Sequence, residues 1–230
     1  MQQTANTLQV LIDHSDAAMI SWNSLGFDKR AVILQRWAKQ LPMNISVMVN
    51  YQCINALEYV ANTELMPGPT GETNALYCSG RGVFIVTAQQ GAPAAAIVGQ
   101  LTAALVCGNS VLLCINDDHY ATQISTELEQ LGCLSGVITV VNIAHLDALV
   151  NSPQIAGVAY CGDLQTAQQL ARQLAQREGL LAQLVSELDG EALPVIGAQR
   201  YCLRFVTERT RTINITAVGG NATLLELGSG

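Results

Sequence analysis

Hydrophobic and polar positions along the chain change period twice, and each change predicts a different kind of structure. Through residues 4–63 the period is helical. In the stretch beginning at Ser21, Leu34, Trp37 and Leu41 recur at three- and four-residue spacing, while Asp28, Lys29, Arg36 and Lys39 fall on other faces. Asp28 is placed to cap this helix and Pro42 to end it. A second helix is expected from about Asn44 to Asn62, closed by a loop at MPGPTGETN, where Pro67, Gly68, Pro69 and Gly71 cluster. Short apolar runs then alternate with helical stretches. Strands are predicted at 81–88, 109–115, 136–142, 155–162 and within 180–188. Between them come an apolar helix at 91–108, a polar one at about 118–132, a short one near His145 and an amphipathic one at 163–178. Strands apolar on both faces and separated by helices predict a parallel sheet covered on both sides.

The closing segment alternates strictly. Arg209, Arg211, Ile213 and Ile215 fall on one side, Glu208, Thr210, Thr212 and Asn214 on the other, and Gly219, Gly220 and Asn221 supply a turn to a second short strand. So polar a hairpin cannot stabilise itself and must pair with something else. The expected fold is therefore α/β: a Rossmann-like sheet with helices on both faces, a helical lead-in over 1–65, and a C-terminal β-hairpin flap. The Rossmann unit is expected to span 1–200, and a strand plus the flap 201–230.

Composition narrows the function. With 50% hydrophobic and 13% charged residues the chain can bury a large core. A net charge of -7, with 11 Lys and Arg forming no basic run, argues against nucleic acid as a partner. Seven cysteines, an odd number without a C-x-x-C pair, suit small buried hydrophobes in a reducing compartment, so a cytoplasmic location is expected. His14, His119 and His145 lack metal-ligand spacing, and no metal site is expected. The N-terminus carries no secretory signature. Gly82 to Asn116 is free of charge, but Pro93, Gln100, Gly108 and Asn109 interrupt it too often for a transmembrane span.

Candidate chemistry is sparse. Gly108-Asn109 reads as a helix-to-strand joint. Gly162-Asp163, between a strand and a helix, could offer backbone N–H groups to a phosphate, although Asp163 would itself cap the helix and repel phosphate. Glu187, at a strand end, is either a general base or a solvated carboxylate. Cys202 lies in YCLRF, read as a strand, where a buried inert thiol outweighs a nucleophile. The hairpin 207–227 either covers an edge of its own sheet or adds to a partner's.

RGVFIVTAQQGAPAAAIVGQLTAALVCGNSVLL and IAGVAYCGDLQTAQQLARQLAQREGLLAQLVSELDGE resemble the aldehyde dehydrogenase superfamily, from its Arg-Gly-Val strand to its Glu-Leu-Gly-Gly segment. MPGPTGETN and ERTRTINITAVGGNATLLEL resemble more narrowly the proline utilization A family, which fuses proline dehydrogenase to pyrroline-5-carboxylate dehydrogenase. In its longer members an extra dehydrogenase-like domain ending in a β-flap follows the catalytic dehydrogenase. The likeness runs over about residues 8–227 and implies NAD as the parental cofactor. The departures imply loss of chemistry. The oxyanion asparagine is Gly91, the ribose-binding lysine is Cys114, and the proline and glutamate beyond it are Ile115 and Asn116. The Thr-Gly-Ser turn is Cys161, Gly162 and Asp163, and no catalytic cysteine follows Glu187. The expectation is a catalytically silent domain without NAD. It would contact either another copy of itself or the dehydrogenase domain of a proline-catabolising enzyme, through Glu208, Arg209, Arg211, Ile213 and Ile215. The alternative is a working NAD-dependent semialdehyde dehydrogenase.

Overall fold

The structure, a computed structural model, describes residues 2–179 and 181–214. Three helices lead in: α1 (Gln2–Ser24), α2 (Phe27–Ala38) and α3 (Met43–Tyr59). A short hairpin, β1 (Glu64–Met66) and β2 (Glu72–Gly80), follows. Strands and helices then alternate: β3 (Val83–Ala88), α4 (Ala94–Val106), β4 (Ser110–Cys114), α5 (Asp118–Gln130) and β5 (Ile138–Val140). A 3-10 turn and α6 (Leu146–Val150) lead to β6 (Ile155–Cys161), α7 (Leu164–Gln176) and β7 (Gln183–Glu187). A 3-10 helix at Tyr201–Phe205 delivers the chain to β8 (Val206–Asn214).

The five strands β5-β4-β3-β6-β7 pair in parallel, as the charge-free runs predict. Alternation of side chains along each strand sends Phe84 and Val86 to one face and Val83 and Ile85 to the other. The first face packs on α4 and α5, with α2 and α3 beyond them; the second packs on α1, α6 and α7. Helix α4 is thus covered from both sides and buries every residue from Ala96 to Val106. That double cover explains the absence of charge from Gly82 to Asn116, and no described helix is long and apolar enough to cross a membrane. Sequence order runs outward from β3 to β4 and β5, then returns to β6 and β7. The switch point therefore lies between β3 and β6, where α/β sheets place their ligands.

Several local expectations are corrected. Gly26, at φ +88°, occupies the N-cap position of α2, and Asp28 makes no capping bond but sits inside the first turn. Pro42 starts α3 rather than ending α2. The loop at MPGPTGETN is shorter than expected, because Glu72 already belongs to β2. YCLRF is a 3-10 helix and not a strand: Tyr201, Cys202 and Phe205 turn inward at helical spacing, and the Tyr201 and Phe205 rings meet edge-on at 5.2 Å. The polar strand β8 finds its partner within the chain, pairing with β2 from Glu72↔Asn214 to Gly80↔Val206. Among the described residues the resulting sheet is β1-β2-β8, with β8 at its edge. Ile215, the expected turn and the second strand of the flap lie outside the described residues.

One side chain mounts this small sheet on the large one. Asn109, fully buried, accepts from the backbone N–H of Arg81 (2.7 Å) and Gly82 (3.2 Å) and donates to the carbonyls of Ala104 and Phe205 (both 2.9 Å). All four of its hydrogen-bonding positions are used. Beside it the backbones touch. A Cβ on Gly80 would fall 2.5 Å from the Gly108 carbonyl oxygen, so no larger residue fits there. Arg30, 5% exposed, donates to Val106 O at the end of α4 and to Asn23 O at the end of α1. Burial lowers its guanidinium to about 10, and the negative ends of two helices hold it charged there.

Candidate functional site

The carboxyl ends of β3, β4, β6 and β7 open onto two adjoining clefts of about 640 and 610 Å3, which share the turn Gln89-Gln90-Gly91-Ala92. Ala92 N donates to Gln89 O at 3.0 Å, and Gly91 takes φ +83° at the third turn position. A positive φ there is what a type II turn requires, and glycine adopts it without strain. Gly91 is exposed and brings no side-chain donor to the cleft. A Cβ added to it would meet nothing within 4 Å.

On the far side of the switch point, Gly162 N donates to Glu187 O at 3.0 Å. The space where a ligand oxygen would approach Gly162 is already filled. A Cβ there would lie 2.2 Å from the Tyr160 hydroxyl and 2.7 Å from Gln89 Cβ. Asp163 caps α7 with both oxygens: Oδ1 accepts from Thr166 N (2.8 Å), and Oδ2 from Thr166 Oγ1 (2.9 Å) and the Tyr160 hydroxyl (3.3 Å). Its own N–H is taken by Gln89 Oε1 at 3.0 Å. The Thr166 backbone and hydroxyl bonds hold its carboxyl below the usual aspartate value. A full negative charge therefore occupies the helix terminus that would have faced a phosphate.

At the end of β4, Cys114 is fully buried, and its thiol points to Asn142 O at 3.7 Å. Burial and the nearby Asp118 push the thiol up to about 12. Next along, Asp117 caps α5 by accepting from Tyr120 N (2.9 Å), and Asp118 accepts from Asn142 Nδ2 (2.8 Å). The two clefts are thus lined by Asp117, Asp118, Asp163 and Glu191, with neither Lys nor Arg among their lining residues. Among the described residues, a pyrophosphate would meet four carboxylates and no cation. These residues do not fit a nicotinamide dinucleotide.

Glu187 is neither solvated nor free. It is 1% exposed, and both its oxygens are occupied by the loop that follows β7. Oε1 accepts from Asp189 N (3.2 Å), and Oε2 from Val195 N (2.7 Å) and Ile196 N (3.0 Å). The same loop is held from other sides. Gln52 Nε2 donates to Ile196 O (2.8 Å), the Tyr51 hydroxyl to Gly197 O (2.5 Å), and Ile196 fills the notch left by Gly99 on α4. Beyond the loop Cys202 is fully buried. Its thiol is pushed up to about 11 by burial, which leaves it protonated and unreactive at neutral pH. It is the only cysteine after Glu187.

On the small sheet, β8 carries Glu208, Arg209, Arg211 and Ile213, all exposed. Arg209 pairs across from Tyr77, and the Arg211 guanidinium stands 6.0 Å from the centre of the same ring. Thr212 and Asn74, directly opposite each other, hydrogen-bond at 2.6 Å on the other face. The structure therefore brings Gly91, Gly162, Asp163 and Glu187 to one end of the large sheet. Cys114 is buried beneath that end, and the β8 residues lie on a separate surface. Asn109, Gln89 and the Glu187 latch were not read from the sequence. The acid-rich Asn116-Asp117-Asp118 after Ile115 is the sequence signal that would have marked the cleft as acidic, and it was not read.

Residues 51–199 match the model of the aldehyde dehydrogenase family. The bifunctional protein PutA of Escherichia coli K12 is 28% identical over 197 residues, which is 85% of this chain and 13% of that protein. The PutA of Rhizobium meliloti is 28% identical over 166 residues, covering 71% of this chain and 12% of its own length. A solved structure of proline utilization A from Bradyrhizobium japonicum superposes with a TM-score of 0.74 at 25% identity, over 83% of this chain and 24% of that one. The chain thus spans about an eighth of the length of the curated relatives it matches.

Proposed function

The chain belongs to the aldehyde dehydrogenase family, and on that footing we propose that it is a catalytically silent member serving a protein of the proline utilization A type. In this reading it is a cytoplasmic assembly module. It contacts a dehydrogenase domain, or a second copy of itself, through β8 and the segment after it. It covers the pyrroline-5-carboxylate dehydrogenase site and confines that site's intermediate away from water.

The observation that carries the reading is the state of Glu187. A general base needs a free lone pair within reach of its substrate. This carboxylate instead accepts three backbone N–H groups of the loop to the 3-10 helix, so its work is structural. Between β7 and β8 the chain holds only that loop and the 3-10 helix, with no catalytic domain. Two further features support it: no donor at Gly91 for an oxyanion, a loss that typically costs about 100-fold in rate where it has been measured, and an acidic cleft.

The test has two arms. Calorimetry of the purified chain with NAD is expected to give no heat of binding up to millimolar cofactor, and glutamate semialdehyde with NAD is expected to yield no NADH. Micromolar NAD affinity or measurable turnover overturns silence and restores the dehydrogenase alternative. Deleting 207–227 is expected to abolish association with the dehydrogenase partner in sedimentation velocity. Unchanged association removes the assembly role.

A further inference from the structure

Helix α3 carries a second apolar stripe that its own fold does not use. One side, including Val49, Cys53 and Ala56, is buried against the core. On the other, Met43, Val47, Ile54 and Leu57 are 82%, 59%, 59% and 53% exposed. Half-buried Asn50 stands between them. Surface helices ordinarily turn a polar face to water. Here Asn44 and Glu58 are the only other exposed residues of α3.

The spacing identifies what this face fits. From Met43 to Leu57 the positions alternate by four and three residues, the seam of a heptad repeat. Val47 and Ile54, both β-branched, take one heptad position; Met43, Asn50 and Leu57 take the other. A seam of this kind is complementary to another helical seam, its side chains inserting between those of the facing helix. It extends about 21 Å at 1.5 Å per residue. The groove between α2 and α3, lined by Val32, Cys53, Ile54 and Leu57, continues it sideways.

We propose that this face joins two copies of the chain, their α3 helices packed antiparallel about a two-fold axis near Asn50. The charges select this arrangement. Glu58 lies at one end of the stripe, and exposed Lys39 precedes its other end. Antiparallel packing brings each Glu58 to the other copy's Lys39 and to the positive N-terminal end of its α3. Parallel packing would set Glu58 against Glu58. Two-fold symmetry makes the favourable contact twice. The apolar ends match as well, Met43 and Val47 of one copy meeting Ile54 and Leu57 of the other. Asn50, the one polar residue in the seam, sets its alignment, as a buried asparagine does in a coiled coil. This contact is separate from β8 and holds whether or not β8 finds a partner.

Sedimentation equilibrium of the full 230-residue chain tests it, with circular dichroism verifying that each variant keeps its fold, since every substituted side chain is exposed. The wild-type chain is expected to show a monomer–dimer equilibrium, and Ile54→Glu to weaken it by more than about tenfold by burying a charge in the seam. Glu58→Lys is expected to weaken it, and the double reversal Lys39→Glu with Glu58→Lys to recover most of the lost association, the part owed to the ion pair and not to the helix dipole. That rescue is specific to antiparallel packing. A chain monomeric at every concentration, a dimer indifferent to Ile54→Glu, or a double reversal that fails to rescue Glu58→Lys each overturns the proposal.

Discussion

Replacing Glu187 separates a structural carboxylate from a catalytic one by the order in which two variants lose stability. Its three acceptor contacts run to the N–H groups of Asp189, Val195 and Ile196, and the last of these bonds is buried. Hydrogen bonds to a charged group contribute roughly 1.5–3 kcal/mol each in net terms, and a buried donor left unpaired costs about 1–3 kcal/mol. Glu187→Ala removes all three and leaves at least the Ile196 N–H without a partner, so a loss of at least about 4.5 kcal/mol is expected. Glu187→Gln keeps one oxygen for Val195 and Ile196 and sets an amide NH2 against the Asp189 N–H, which costs about 1–2 kcal/mol. Urea unfolding followed by tryptophan fluorescence reads both. At a slope of about 1–3 kcal/mol per molar, the alanine variant's midpoint moves down by about 1 M or more and the glutamine variant's by less than half as much. Hydrogen exchange supplies the local reading: Val195 and Ile196 amides lose protection in the alanine variant first. A midpoint for Glu187→Ala within error of wild type, with those amides still protected, refutes the reasoning.

Three further predictions follow from the site and its mounting. Asn109→Leu strands two backbone N–H groups and takes the side-chain donor from the Phe205 carbonyl, while the Ala104 carbonyl keeps the backbone N–H of residue 109; it is expected to cost about 3–5 kcal/mol in urea unfolding, and a loss under about 1 kcal/mol would show that Asn109 is no hub. Asp163 titrates below its ordinary value in the folded chain. Its contribution to stability is therefore complete above the unfolded aspartate pKa of about 3.9 and lost as pH falls through the lower folded value. Asp163→Asn should flatten the acid limb of a stability–pH curve, and an unchanged limb would contradict the assigned cap. Thiol labelling with iodoacetamide at pH 8 should modify half-buried Cys78 first and spare Cys161 and Cys202, whose thiols are pushed up to about 11, until the chain is unfolded. Fast labelling of native Cys202 would reopen its reading as a nucleophile.

The large sheet was legible because its strands are buried on both faces: Val83–Ala88 and Ser110–Cys114 are unbroken runs with no exposed position to disguise them. β2 was not. Its nine residues include Thr73, Asn74, Ser79 and Gly80, and its pairing depends on β8, a strand at the other end of the chain that no local window contains. YCLRF misled through composition, since its aromatic residues favour strands, whereas the spacing of Tyr201, Cys202 and Phe205 is helical. At the site, Gly162 and Asp163 were found because they sit at a strand–helix joint that sequence periodicity marks, and Gly91 only because the family resemblance places an asparagine there. The condition of Glu187 was hidden because its burial is decided by Val195 and Ile196, which reach it only once the loop has folded back over α3 and α4. Tertiary closure, rather than local pattern, decides whether such a carboxylate is wet.

The antiparallel ladder between β2 and β8 has a kinetic consequence. Its two strands flank all five strands of the parallel sheet in sequence, so the ladder cannot zip until every strand of that sheet has been synthesised. Closing so long a loop in an unstructured chain is entropically unfavourable, and non-local pairings of this kind fold slowly. On the ribosome, β2 must wait as an unpaired edge, its N–H and C=O groups open to any passing strand. Once β8 has emerged, the Asn109 joint holds the carbonyl of Phe205 beside the start of β3, next to where the ladder begins. A nascent chain stalled before Val206 would therefore be the aggregation-prone species, and a chaperone acting on this protein would find its work there.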